Sequence, residues 1–246
     1  QKISPELSFI QDTLIAKLTA FRTLKIDKIT NRLTSPQPRQ VQAAPVLPPA
    51  SKCQIDLVAI GASTGGPPAL QTILTRLPAS FPSAVIVVQH MPPSFTRFFA
   101  ERLHESCALD VKEAEDGDEV RTGRILIAPG GMNMTLTKYN NIVHVTLGPQ
   151  REQDKFVPSV NAMMESSSSI YGSRTLGVLL TGMGDDGKTG MKAIKQMNGK
   201  TIAESEDTAI VFGMPAEAIK EGVVDYILGL GEITDKILSI CIENNR

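Results

Sequence analysis

From residue 55 onward, short runs that are apolar along their whole length alternate with segments whose apolar residues recur at helical spacing. The runs "IDLVAI" (55–60), "AVIVVQ" (84–89), "RILIAP" (124–129), "LGVLLT" (176–181), "KTIAES" (200–205) and "VVDYIL" (223–228) are predicted strands. Helices are predicted over 67–77, 95–106, 158–170, 187–197, 214–221 and 232–242. Unbroken apolar character marks strands buried on both faces, as in a parallel sheet covered by helices on each side. "MNMTLT" and "NIVHVTL", joined through "KYNN", predict instead an antiparallel hairpin with an Asn-rich turn. The predicted fold class is α/β: a doubly wound, mostly parallel sheet with helices on both faces and a β-hairpin insertion.

Ahead of this pattern, Leu7, Ile10, Leu14, Leu18 and Phe21 share one helical face within residues 5–22. Residues 34–52 then carry five prolines and no periodicity, which reads as a solvated, semi-rigid linker. The expected organisation is an amphipathic helix within 1–33, a Pro-rich linker over 34–52 and a globular domain over 53–246.

Bulk properties narrow the function classes. A net charge of −1 gives no electrostatic reason to expect nucleic acid or an anionic membrane as partner. The longest apolar runs fall far short of a membrane span, so no membrane insertion is expected. The three cysteines, Cys53, Cys107 and Cys241, lie far apart without CxxC spacing, which predicts a reducing, cytoplasmic setting with neither disulfides nor a zinc site.

In doubly wound sheets ligands sit beyond the carboxyl ends of the strands, so the chemistry is sought there. After the first strand, Gly61 to Gly65 fits G-x-S-x-G, in which a sharp strand-to-helix turn exposes the hydroxyl of Ser63. Amides at the following helix start are placed to stabilise an oxyanion. A glycine-rich phosphate loop is the competing reading of the same stretch. After the second strand comes His90. Of the other histidines, His104 falls on the polar side of a helix and His144 alternates with valines in the hairpin, and both are expected to face solvent. After the strand over 176–181 come Asp185 and Asp186, one of them a candidate helix cap and the other a candidate acceptor for His90 Nδ1–H. Nucleophile, base and orienting acid thus fall at one end of one sheet, the arrangement of a serine hydrolase, in the chain order Ser, His, Asp.

"VAIGASTGGPPAL", "VVQHMPPSFTRFFAERL", "AEDGDEVRTGRILIAPGG", "LLTGMGDDGKTGM" and "TAIVFGMPAEAI" resemble, in order, the catalytic domain of the CheB family of chemotaxis protein-glutamate methylesterases. The resemblance covers roughly residues 54–242. It implies hydrolysis of glutamate methyl esters on chemoreceptor cytoplasmic helices with release of methanol, and in many members deamidation of receptor glutamines. It further implies that Ser63 is the nucleophile, His90 the base and Asp186 the triad carboxylate. Asp185 is left to cap or surface duty, and the backbone amides of Thr64 and Met183 form the oxyanion hole. No metal or cofactor is implied. A receiver domain normally precedes this catalytic domain, so residues 1–33 are expected to be its end or connector in a longer protein. The chain departs from the family at Asn161, where Asp is usual, and at Ala216, where a basic residue is common; both are expected to tune activity or docking. "PPSFTRF" (92–98) and the hairpin are expected walls of a shallow substrate groove, with Arg97 and Arg102 as candidate contacts to acidic receptor surface. Two rival readings are a phosphate- or nucleotide-binding module, which leaves His90 unexplained, and a non-catalytic receptor-docking domain.

Overall fold

In chain order the sheet strands are β1 (Leu57–Ala62), β2 (Ala84–Gln89), β3 (Asp110–Glu113) and β4 (Arg124–Ile127), then β7 (Thr175–Leu179), β8 (Lys200–Glu204) and β9 (Tyr226–Leu228). They assemble in the order β3-β4-β2-β1-β7-β8-β9, and every neighbouring pair is parallel. This computed structural model describes residues 55–242; the predicted amphipathic helix and the Pro-rich linker lie outside the described residues. The helices are α1 (Gly66–Leu74), α2 (Pro93–His104), α3 (Val160–Tyr171), α4 (Lys188–Gln196), α5 (Met214–Lys220) and α6 (Leu230–Cys241).

The doubly wound α/β architecture is as predicted, with two differences. The sheet is wholly parallel, because the hairpin strands β5 (Asn133–Tyr139) and β6 (Ile142–Gly148) form a separate two-stranded sheet and pair with none of its strands. Asn140 and Asn141 take positive φ in the connecting turn, which is the reason asparagine serves there. The second difference is β3, a strand absent from the sequence reading. Its residues "DVKE" bury little beyond Val111, as suits a sheet edge rather than a covered centre.

Successive strand residues point to opposite faces, and the two faces carry separate cores. Val58, Ile60 and Ala62 pack with Leu70 and Ile73 of α1 and Ile233 and Ile237 of α6. Leu57 and Ala59 pack on the other side with Met163 and Met164 of α3, Met191 and Ile194 of α4, and the hairpin residues Met134 and Leu136. The chain runs outward from β1 to the β3 edge, returns to lay β7 against the free side of β1, and then builds toward β9. The direction of winding therefore reverses between β1 and β7, and the crevice that such a reversal opens lies beyond their carboxyl ends.

Candidate active site

Ser63 and His90 each follow the last residue of a central strand, and those last residues, Ala62 and Gln89, are register partners. The ladder closes one step further, where His90 N–H donates to the Ala62 carbonyl at 3.0 Å. Continuing the pleat, Ser63 extends the series Leu57, Ala59, Gly61 and His90 the series Ala84, Ile86, Val88, both on the α3 side. Both side chains thus leave the same face of the same sheet end.

The turn at Ser63 is held from two directions. Its amide donates to Thr181 O at 3.0 Å, and its carbonyl accepts from Gly66 N at 2.8 Å. Gly65 then adopts φ 81 as the N-cap of α1. Gly182 lies so close that a Cβ there would come within 2.8 Å of Ser63 Cβ, so only glycine permits this approach of the β7 loop to the serine. Ser63 Oγ makes no hydrogen bond to a described residue.

His90 Nε2 and Asp186 Oδ2 are 2.8 Å apart, with the two side chains only 9 % and 5 % exposed. Phe156 stacks on the imidazole, with ring centroids 4.6 Å apart and planes inclined by 19°. His90 Nδ1 is buried without a hydrogen-bond partner among the described residues. This corrects the sequence expectation, which paired the aspartate with Nδ1. The Asp186 carboxylate sits at the far nitrogen of the ring, and Nδ1 is the nitrogen left without a partner among the described residues.

Asp186 does more than orient the ring. Its Oδ2 also accepts from Val160 N at 2.8 Å, and its Oδ1 accepts from Asn161 N at 3.0 Å, Gly187 N at 3.1 Å and Ser159 Oγ at 3.2 Å. It therefore caps the N-terminus of α3, where unpaired amides and the helix dipole favour a negative charge. Asn161 returns the arrangement: its Oδ1 accepts from Gly187 N at 2.9 Å and Gly190 N at 2.8 Å at the start of α4. Two helix starts are thus capped crosswise, each by a side chain belonging to the other's segment. The neutral amide at position 161 supplies the acceptor that this geometry needs. Asn161→Asp should accordingly leave kcat within about threefold and stability within about 1 kcal/mol, since a carboxylate accepts the same two amides. Chemical unfolding and an ester-hydrolysis assay check this; a tenfold change would assign a role to the missing charge.

A hydrogen-bonded line continues away from His90. Ser159 N donates to Asn133 Oδ1 at 2.8 Å, and Asn133 Nδ2 donates to Asp154 Oδ2 at 2.7 Å. Arg151 closes the line on Asp154 through Nε at 2.9 Å and Nη2 at 2.7 Å. Burial alone would raise the Asp154 carboxyl, but hydrogen bonds from Arg151 and Asn133, with the guanidinium charge, outweigh it and hold the group below its ordinary range. A carboxyl depressed on folding stabilises the fold above its unfolded value of about 3.9, and that stabilisation is lost as pH falls through the lower folded value. Urea unfolding should therefore show stability declining below about pH 4, and Asp154→Asn should reduce that decline while costing about 2 kcal/mol at neutral pH. An unchanged acid limb in the variant would contradict this.

The remaining sequence candidates fall as follows. His104 is exposed and its Nδ1 accepts from Val111 N at 3.2 Å, while His144 Nδ1 lies 3.1 Å from Gly117 O; each is engaged away from His90. Asp185 ion-pairs with Lys155 at 2.8 Å, and that ammonium holds its carboxyl below the ordinary range. It is a surface residue, and the helix cap near it is Asp186. The amides of Thr64, which follows Ser63, and of Met183, which follows the closely packed Gly182, donate to no described residue. Arg97 pairs with Glu101 at 3.2 Å on the exposed side of α2. Ala216 is half-buried in α5, and nothing in the structure explains its departure from a basic residue. Cys107 is half-buried, and its thiol is pushed up to about 11 by desolvation, which makes it a poor nucleophile. No group of three or more metal-ligating side chains occurs among the described residues, and no described helix is long and apolar enough to cross a membrane. The sequence reading missed Phe156, Asn133, Asp154 and Arg151. Only Ser159, a serine directly before a helical run, carried a local signal for its capping role.

Comparison with known proteins bears on the family and the fold. The family model described as CheB methylesterase matches residues 58–237. A "Protein-glutamate methylesterase/protein-glutamine glutaminase 3" of Geobacter sulfurreducens is 54% identical over 188 residues, covering 76% of this chain and 51% of the relative. A "Protein-glutamate methylesterase/protein-glutamine glutaminase 2" of Methanosarcina acetivorans is 42% identical over 212 residues, covering 84% of this chain and 58% of the relative. The chain thus spans little more than half the length of these curated relatives. The crystal structure of the Thermotoga maritima CheB methylesterase catalytic domain superposes with a TM-score of 0.74 at 42% identity, covering 76% of this chain and 98% of that one. With a matching family model over most of its length, relatives of this identity and the same fold, the chain belongs to the CheB methylesterase family.

Proposed function

We propose that this domain is a serine hydrolase acting on protein glutamyl methyl esters, with release of methanol, and on protein glutamines, with release of ammonia. Chemoreceptor cytoplasmic helices are the proposed substrate, and a receiver domain in the longer protein is the proposed regulatory partner. The observation that carries the reading is the 2.8 Å pair of His90 Nε2 with Asp186 Oδ2, which leaves Nδ1 unpaired at the strand end next to Ser63.

In the proposed mechanism His90 donates Nε2–H to Asp186, so Nδ1 holds the lone pair. Nδ1 takes the Ser63 proton as Oγ attacks the ester carbonyl, and Asp186 stabilises the imidazolium that forms. The amides of Thr64 and Met183 donate to the tetrahedral oxyanion, an interaction worth about 3 kcal/mol per donor. Nδ1–H then protonates the departing methanol oxygen. Water repeats the sequence on the acyl-serine, restoring the hydroxyl and releasing the glutamate carboxylate. A glutamine side chain passes through the same intermediate and loses ammonia. Phe156 covers one ring face and limits water around the imidazole.

The test is to incubate the chain with a receptor fragment carrying glutamyl methyl esters and glutamines and to quantify methanol and ammonia. Methanol release from protein-bound ester supports the reading. Binding of the fragment without any release would favour the docking-domain alternative.

A further inference from the structure

The carbonyls of Ser63 and His90 lie beyond the last register pair of β1 and β2 and so lack a strand partner across the ladder. One side chain engages both. Gln89 Nε2 donates to Ser63 O at 2.9 Å and to His90 O at 3.1 Å. Gln89 is 2 % exposed. By the pleat it leaves the sheet on the face opposite to His90, under the start of α1. Gly66 makes the room, since a Cβ there would overlap Gln89 Oε1. That Oε1 is buried and receives no hydrogen bond from a described residue. An orphaned buried acceptor is costly, and a methionine would fill the same volume without it, so packing alone does not account for an amide here.

We infer that Gln89 is a positioning residue. Its amide joins the backbones of Ser63 and His90 one step past the end of the sheet and fixes the spacing of nucleophile and base. This deepens the proposed serine mechanism and rests on it. Only a side chain of this length ending in –NH2 supplies two hydrogens in a plane for two carbonyls; glutamate of the same length is acceptor-only when ionised. A displacement near 1 Å between reacting groups costs about 100-fold in rate, so the clamp's effect belongs in kcat.

The test compares the parent chain with Gln89→Met and Gln89→Glu, reading kcat, KM and thermal stability on one ester substrate. Gln89→Met is expected to lower kcat by roughly 30- to 100-fold with KM little changed. Gln89→Glu sets an ionised carboxylate against two carbonyls and is expected to be slower still at pH 8. Its kcat relative to that of Gln89→Met should recover as pH falls and the carboxyl regains a donor proton. Taking that ratio cancels the titration of His90 common to both variants. A purely structural glutamine would lower thermal stability in both without this pH-dependent ratio. Parental kcat in folded Gln89→Met overturns the inference; if that variant does not fold, a pH-independent deficit of Gln89→Glu relative to the parent overturns it. Ser63→Ala run alongside separates the two levels. If it retains activity the nucleophile assignment fails, whereas an inactive Ser63→Ala beside a fully active Gln89→Met removes the clamp alone.

Discussion

Ser63→Ala is expected to lower kcat for methyl-ester hydrolysis by roughly 10⁴-fold or more while leaving substrate affinity and fold intact. The size follows from the proposed role: without Oγ there is no covalent intermediate, and only oxyanion stabilisation and binding remain. The fold should survive because Ser63 is positioned by its backbone, through Thr181 O and Gly66 N, and its hydroxyl bonds to no described residue. Methanol release at saturating substrate, together with a thermal melt, reads both parts. Activity within tenfold of the parent would remove the covalent mechanism.

The second large effect is expected from Asp186→Asn, and it should appear in rate and stability together. For the rate, an asparagine nitrogen facing His90 would donate to Nε2 and drive the ring proton to Nδ1, the atom that must accept from Ser63. A loss of about 10⁴-fold in kcat is the expected consequence of holding the wrong tautomer. For stability, the carboxylate accepts from Val160, Asn161 and Gly187 amides besides His90 and Ser159. An amide group replaces one acceptor with a donor, so whichever way it turns a backbone N–H at the start of α3 is left unpaired. That costs about 1–3 kcal/mol. Nitrogen-15 NMR of the imidazole should find the proton on Nε2 in the parent and on Nδ1 in the variant. A variant with parental stability and more than a tenth of parental kcat would contradict both halves of the argument.

The parts legible in the sequence are those fixed by short-range rules. Central strands such as "AVIVVQ" are buried on both faces and so announce themselves as unbroken apolar runs. Ser63 and His90 stand out as candidates because a parallel sheet gathers its chemistry at the strand ends, and the chain holds only three histidines. The turn of the hairpin was legible because consecutive asparagines tolerate the positive φ it requires. What escaped depends on distant partners. β3 is an edge strand whose polar "DVKE" lacks the apolar mark of its covered neighbours. The ring nitrogen offered to the aspartate depends on the direction from which the carboxylate arrives. That direction is set by Asp186 capping a helix whose first residue lies 26 positions earlier in the chain. The same holds for Phe156 on the imidazole and for the line from Asp154 through Asn133 to Ser159. Each belongs to a contact that packing creates and that spacing along the chain does not encode.

The account turns on Ser63 Oγ being made nucleophilic by His90. Reaction with a fluorophosphonate, followed by digestion and mass analysis, tests this directly, because an activated serine displaces fluoride from such reagents and is phosphonylated in proportion to its activation. A single adduct on the peptide containing Ser63, formed in the parent and slowed by orders of magnitude in His90→Ala, is the predicted result. An adduct elsewhere, or labelling of Ser63 at the same rate without the imidazole, would contradict it.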